Sequence, residues 1–460
     1  MTKKLLSLLL ILTLTVLSVL SFASCSSSED TADDTERPKP VDMGVTKTLN
    51  VYNWGEYISD GFEGSYDSNA EFEYYFNAYL APKYGYNIKV NYTTYATNED
   101  MYSKIHSLMS NGGDAMYDIV VPSDYMIQQM IESKMLLPFD AETIPNYSNI
   151  SDNFKNRYYD PENLYSVPYT YGMVGIIYNP GLMDESDLNE NGEVKNKSWD
   201  MLWNENYKGK ILQFNNPRDA FGTAMYKLNL NINETEDLSV WEKAAEELKR
   251  QKPLVQGYVN DEIFNKMTTA SAVLAPYFAG DFITMYDSLP EDDKFLKFYY
   301  PEEGTNVFID AMCILKTSKM VDAAKEYINF MLDRDAAVAN ALYIGYASPN
   351  EIVVNDEEYL DEMGEDAIEI LYGADPVEIN RNYSHDPYYH KLDTATQENF
   401  YSLWESLKTE NAIELWVHIS SITIVVLLLA ACTYSVIIKK WRSRFYRLRD
   451  KELRQKKPTQ

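Results

Sequence analysis

The sequence predicts an α/β body folded as two lobes, exported and held at a membrane. Three observations predict it: short β-branched runs that alternate with helix-like segments, a body too long for one ordinary sheet, and apolar segments at both ends. Between those end segments lie about 365 residues, a length that favours two lobes over one.

Residues 1–24 read as a secretory leader. Lys3 and Lys4 precede an apolar run from Leu5 to Phe22, and Ala23 and Ser24 stand before Cys25. Small residues before a cysteine resemble a bacterial lipoprotein signal, which implies cleavage ahead of Cys25 and its lipidation. Phe22 departs from the usual Leu of that pattern, and an ordinary cleaved signal is the alternative. Residues 25–45, rich in Ser, Asp and Pro without apolar periodicity, are expected to form a solvated tether.

The body follows from Thr46 to about Glu410. Leu49–Tyr52, Ile88–Tyr92, Ile119–Val121 and Gly175–Tyr178 read as strands, and Met101–Ser110, Trp241–Arg250 and Ala323–Asp333 as helices. This alternation predicts mostly parallel sheets. The loop Asp187-Leu188-Asn189-Glu190-Asn191-Gly192 has the oxygen spacing that opens a calcium loop, but its twelfth position is Ser198 where a bidentate Glu is needed, so a surface turn is favoured.

At the far end, Leu415–Ile438 is a stretch of 24 residues without a formal charge. That length crosses a hydrocarbon core of roughly 30 Å as a helix. Trp416 and Trp441 flank it, and Lys439, Lys440, Arg442 and Arg444 follow at once, which places residues 439–460 in the cytoplasm and the body outside. A single uncharged span is no transport pathway, so any transport function needs partners.

Charge narrows the partners. The chain carries a net charge of −29; the tail from Lys439 holds ten Lys/Arg against Asp450 and Glu452, a net +8, which leaves −37 on the rest. An acidic body argues against nucleic acid and for cationic ligands, with general solubility as the bland alternative. Cys25, Cys313 and Cys432 lie too far apart to suggest a disulfide framework or a thiolate metal site. No phosphate loop, G-x-S-x-G elbow or H-E-x-x-H occurs, and no enzyme activity, cofactor or metal is expected.

Five stretches carry a resemblance. They are Leu49-Asn50-Val51-Tyr52-Asn53-Trp54-Gly55-Glu56-Tyr57-Ile58, Tyr117-Asp118-Ile119-Val120-Val121-Pro122-Ser123-Asp124-Tyr125, Tyr165-Ser166-Val167-Pro168-Tyr169, Asn216-Pro217-Arg218-Asp219-Ala220-Phe221-Gly222 and Ile344-Gly345-Tyr346-Ala347-Ser348-Pro349-Asn350. In this order the series resembles the bacterial spermidine/putrescine-binding proteins of polyamine ABC importers. The resemblance implies a two-lobed, type II periplasmic-binding-protein fold that closes on its ligand and delivers it to an ABC permease. The chain would cross between lobes near Tyr171–Gly172, Phe308–Ile309 and Val354–Glu357. One lobe would comprise 46–171 and 309–356, the other 172–308 and 357–410.

Carried over position by position, the resemblance lines the cleft with Trp54, Tyr57, Ser123 and Tyr125 from one side and Asp219 from the other. Phe278 and Asp281 stand where the family has an aromatic and, in putrescine-selective members, a carboxylate; Phe308 and Asp310 match an aromatic-x-Asp element, and Tyr346 completes the set. The chemistry is coherent on its own terms. A polyamine offers methylenes and ammonium groups, so its site needs flat apolar walls, cation–π faces and carboxylates that offset the desolvation of each cation. Asn215 and Asn216 replace an acid of the spermidine-type pattern, and Phe278 and Phe308 replace tryptophans, so putrescine and spermidine both stay open.

Each residue also has a structural reading: Trp54 as core, Asp219 as an ion pair with Arg218, Asp310 as a cap, and Glu56 as surface. The rivals are a receptor for ferric ion, using the tyrosine pairs at 158–159, 299–300 or 388–389, or for a sugar or another small solute, a surface amine-processing enzyme, and a sensor that signals through the span.

Overall fold

The computed structural model describes residues 37–110, 112–409 and 415–455; the leader, Cys25 and the first part of the expected tether lie outside the described residues. The chain divides into a small unit, residues up to Thr46 together with Tyr74–Ile88, and a large one that holds the rest. Within the small unit the end of the expected tether is tied down. Val41 N–H donates to Asn77 O at 3.0 Å, Asn87 N–H to Val45 O at 2.8 Å, and the Asn87 side chain bonds Met43 N and Val41 O.

Nine strands are described: β1 (Thr46–Trp54), β2 (Asn87–Tyr95), β3 (Ile119–Val120), β4 (Ser166–Tyr178), β5 (Ile211–Phe214), β6 (Val255–Val259), β7 (Leu274–Phe278), β8 (Lys297–Tyr299) and β9 (Val307–Ile314). They run in the order β2-β1-β3-β9-β4-β7-β5-β6, with β8 also on β4. The expected strands and helices all occur, but the sheet is mixed rather than mostly parallel. β1–β3, β5–β6 and β5–β7 are parallel, whereas β4 and β9 pair antiparallel with each other, β4 with β7 and β8, and β3 with β9. The two strands at the centre carry the chain in opposite directions, so they must oppose.

β4 and β9 stand side by side in the middle of the strand order. The first part of β4, Ser166–Met173, lies against β9, and the second part, Val174–Tyr178, against β7 and β8. Tyr171 pairs with Ile309 and Gly172 with Phe308, so the two crossings expected from sequence face each other in one ladder. All eight residues of β9, VFIDAMCI, are buried. A strand covered on both faces reads as a continuous apolar run, and Asp310 is the exception in it. The third expected crossing, Val354–Glu357, falls between the short helix Glu351–Val354 and the helix Glu357–Ile368, whose first N–H groups are capped by the Asp356 carboxylate.

Helices follow the C-terminal ends of strands, where open α/β sheets bind ligands. β3 leads into Asp124–Glu132, β5 into Pro217–Lys227 and β7 into Ala279–Asp287. In Pro217–Lys227 the Asn216 carboxamide accepts from Arg218 N at 3.0 Å and Pro217 occupies the first turn, which fixes the helix start. Residues 217–226 are all buried, and Phe221 packs with Trp241, Phe400 and Trp404 at 5.0–6.4 Å between ring centres. Phe400 and Trp404 belong to the helix Thr394–Thr409. Beyond it a helix runs from Leu415 to Gln455, 41 residues, in which Ile422–Arg442 is long and apolar enough to cross a membrane. The helix thus continues into the basic segment, about 60 Å in all at 1.5 Å per residue.

The calcium-like loop is a turn. Asn189 Oδ1 accepts from Asn191 N and Glu193 N, and Asp187 accepts from the Tyr207 hydroxyl.

Candidate ligand-binding cleft

Three strand-to-helix junctions, the β1 exit and the β4–β9 centre enclose a cavity of about 510 Å³. All ten ligand residues expected from sequence line it: Trp54, Tyr57, Ser123, Tyr125, Asp219, Phe278, Asp281, Phe308, Asp310 and Tyr346. Glu56, left open by the sequence, and Asp60, Asp124 and Asp261 line it too. Among the described residues the lining therefore holds seven carboxylates and no basic side chain. Asp60, Asp124, Asp261, Tyr95 and Tyr389 were not foreseen.

Asp310 projects from β9 into this space. Its Oδ2 accepts the Tyr57 hydroxyl at 2.7 Å, and that hydroxyl lies 2.6 Å from Thr170 Oγ1. Its Oδ1 has no hydrogen-bond partner among the described residues. Burial pushes the Asp310 carboxyl up to about 6, with Ser123 and Tyr57 opposing. Asp219, in the first turn of its helix, is pushed up to about 7 by burial first and then by repulsion from Glu99, with the Tyr389 hydroxyl and Arg218 opposing. Asp281, likewise in a first turn, rises to about 7 through burial; the Tyr346 hydroxyl, which donates to Asp281 Oδ2, opposes, while Asp261 and Glu56 add repulsion.

The acids thus fall into two groups. Asp310 repels Asp219 and Asp124, whereas Asp281 feels Asp261 and Glu56. Burial also raises Asp124, with the Tyr158 hydroxyl opposing; its Oδ1 accepts from Tyr125 N at 2.7 Å, while Oδ2 has no partner within hydrogen-bonding geometry among the described residues. Asn306 Oδ1 and Trp54 Nε1, both in the lining, are likewise buried without partners among the described residues. Unpaired buried polar atoms are rare in folded proteins, and four in one cavity lining mark a place built for polar contact.

Aromatic faces supply the walls. Phe278 and Phe308 meet edge to face at 5.3 Å, Tyr57 and Tyr346 at 5.0 Å, and Trp54 leans on Tyr95 at 4.7 Å. Gly172 admits Phe308: a Cβ there would lie 2.8 Å from the ring. Arg218 does not pair with Asp219 as an ion pair would. Its guanidinium lies 4.5 Å from the Tyr389 ring centre and donates to Asn233 and to His390 O.

Of the tyrosine pairs, Tyr158, Tyr299 and Tyr300 donate to backbone carbonyls, and Tyr389 alone lines the cavity. Among the described residues no three His, Cys, Asp or Glu side chains cluster to hold a metal.

With the fold and the cleft in view, the chain belongs to the bacterial extracellular solute-binding protein family, whose model matches residues 114–365. It is 31% identical over 304 residues to the spermidine/putrescine-binding periplasmic protein of Escherichia coli, covering 66% of this chain and 78% of that one. Escherichia coli PotF, a putrescine-binding periplasmic protein, is 25% identical over 314 residues, 66% of this chain and 78% of that one. Among solved structures, a Listeria monocytogenes protein assigned to spermidine/putrescine ABC transport superposes with a TM-score of 0.64 at 31% identity, covering 79% of this chain and 99% of that one. The spermidine/putrescine ABC transporter substrate-binding protein PotD of Streptococcus pneumoniae superposes with a TM-score of 0.58 at 30% identity, over 79% of this chain and 98% of that one. The molecule accordingly shares the two-lobed fold of these substrate-binding proteins.

Proposed function

We propose that this protein is an extracytoplasmic receptor that captures a polyamine between its lobes and delivers it to an ABC-type permease, and that a diamine such as putrescine fits it at least as well as spermidine. One observation carries the reading: a cavity lined by seven carboxylates and aromatic rings without a basic side chain. Such a lining favours a flexible organic cation over an anion or a sugar. Two groups of mutually repelling acids suit a ligand with charge at both ends. Relatives named for spermidine and putrescine support the same class.

In this reading Asp310 and Asp219 hold one ammonium and Asp281 the other. Trp54, Phe278 and Phe308 cover the methylenes, and Tyr57, Ser123, Tyr125 and Tyr346 orient the acids. The lobes are 46–171 with 309–356 and 172–308 with 357–410, hinged where Gly172 faces Phe308. Lipid on Cys25 and the apolar helix after Leu415 hold the receptor at both ends, with the C-terminus in the cytoplasm. Calorimetry on the purified full-length chain tests the reading. Saturable binding of putrescine or spermidine, weakened at least tenfold by Asp310→Asn and by Trp54→Ala, supports it; a correctly folded protein that takes up neither contradicts it.

A further inference from the structure

Tyr346, which bonds Asp281, stands between the ligand cavity and a smaller one. On one face Tyr346 lines the ligand cavity. With Ile344 it also lines a second, small cavity of about 10 Å³, walled in part by Thr170, Asn340, Ser348 and Asn350. A space of that size has room for about one water molecule.

The ring is fixed from several directions. Its hydroxyl donates to Asp281 Oδ2. It meets Tyr57 edge to face at 5.0 Å and Phe308 at 6.2 Å. Beneath it lies Gly280, where a Cβ would stand 2.2 Å from the ring. The preceding residue, Gly345, closes the helix Arg334–Ile344 with a φ of 71°, and a Cβ there would fall 2.9 Å from Gly280 O and from the Thr284 methyl. Side chains rarely adopt that backbone conformation, so both glycines are needed for the chain to turn and the ring to seat.

We propose that Tyr346 is the end stop that sets the length of polyamine the cleft accepts, seated by Gly280 and Gly345 and positioning the carboxylate of Asp281. The proposal rests on the polyamine reading above. A cavity of about 510 Å³ admits a diamine or a triamine by volume, so discrimination must come from where its walls stand. Spermidine exceeds putrescine by three methylenes and a nitrogen along one axis. With the ring gone, the cleft opens into the small cavity and lengthens by the space of the ring.

The test measures the ratio of putrescine to spermidine affinity on the full-length receptor by calorimetry. Tyr346→Ala should shift the ratio toward spermidine by about tenfold or more, an equivalent of one factor of ten per 1.4 kcal/mol. Tyr346→Phe keeps the stop but loses the bond to Asp281, so it should weaken both ligands and leave the ratio near its wild-type value. Gly280→Ala should move the ratio in the direction of Tyr346→Ala, because the methyl displaces the ring, and adding it to Tyr346→Ala should change little further. Should Tyr346→Ala fail to fold, Tyr346→Leu and Gly280→Ala carry the same expectation. Affinities that fall with an unmoved ratio in the folded variants overturn the end stop while leaving the receptor reading intact. A wild-type chain that binds neither polyamine overturns both.

Discussion

Asp310 concentrates the chemistry of the cleft. An acid in the middle of a strand with every residue buried is costly unless something compensates it, and here two hydroxyls do so only in part. A ligand cation would complete the set. Asp310→Asn removes the charge but keeps the shape, and should weaken polyamine binding by about 10- to 100-fold, the scale of a hydrogen bond to a charged group. The acids also set a pH dependence. Asp310 is raised to about 6 and Asp219 and Asp281 to about 7, against roughly 3.9 in an unfolded chain. The folded, ligand-free protein thus retains protons that the unfolded chain releases. Stability from these groups is present below about pH 4 and is lost as the pH rises toward 7. Thermal midpoints of the ligand-free receptor should fall across that window. Affinity should move the opposite way, climbing from pH 5.5 to 7.5 as the carboxylates ionise, and binding near pH 6.5 should release protons, read as a heat that varies with the ionisation enthalpy of the buffer.

At the scale of elements, the strand-to-helix junctions place the acids and the β4–β9 ladder forms the middle of the sheet. The helix Thr394–Thr409 braces one of those junctions. Its Phe400 and Trp404 pack on Phe221, two residues after Asp219. Trp404→Ala leaves a large buried gap and should cost about 3–5 kcal/mol, lowering the thermal midpoint by about 5 °C in calorimetric scans while leaving the lining residues unchanged. Much of this was legible in the sequence because it is local. β1, β2 and the helix Ser239–Gln251 declare themselves by period and composition, and the aromatic-x-Asp element of β9 shows an acid in an otherwise apolar run. What was hidden is non-local. Antiparallel pairing of β4 with β9 joins residues well over a hundred positions apart, and no period in either strand announces it. Asp124 sits between two foreseen contacts, yet as the first residue of a helix it reads as a residue favouring the helix dipole. Tyr389 reaches the cavity from a late segment without regular structure, passing Gly222, where a Cβ would collide with its hydroxyl at 2.2 Å.

For the whole molecule the unusual feature is the continuous helix after the last lobe segment. Residues 1–438 carry −37 and the final segment +8, so one chain joins an acidic receptor to a basic helix through an apolar stretch. If that helix holds the receptor beside its permease, deleting residues 411–460 should lower polyamine uptake in cells several-fold at low external concentration while leaving affinity unchanged. Uptake equal to wild type would contradict that role for the helix. The central claim, that the cleft is a polyamine site built on its carboxylates, is tested most directly by calorimetric titration of the full-length chain with putrescine and spermidine at pH 7.5, beside Asp310→Asn. Saturable one-to-one binding that weakens at least tenfold in the variant is the predicted result; a folded wild-type protein that gives no binding heat with either amine, or a variant that binds as tightly as wild type, would contradict it.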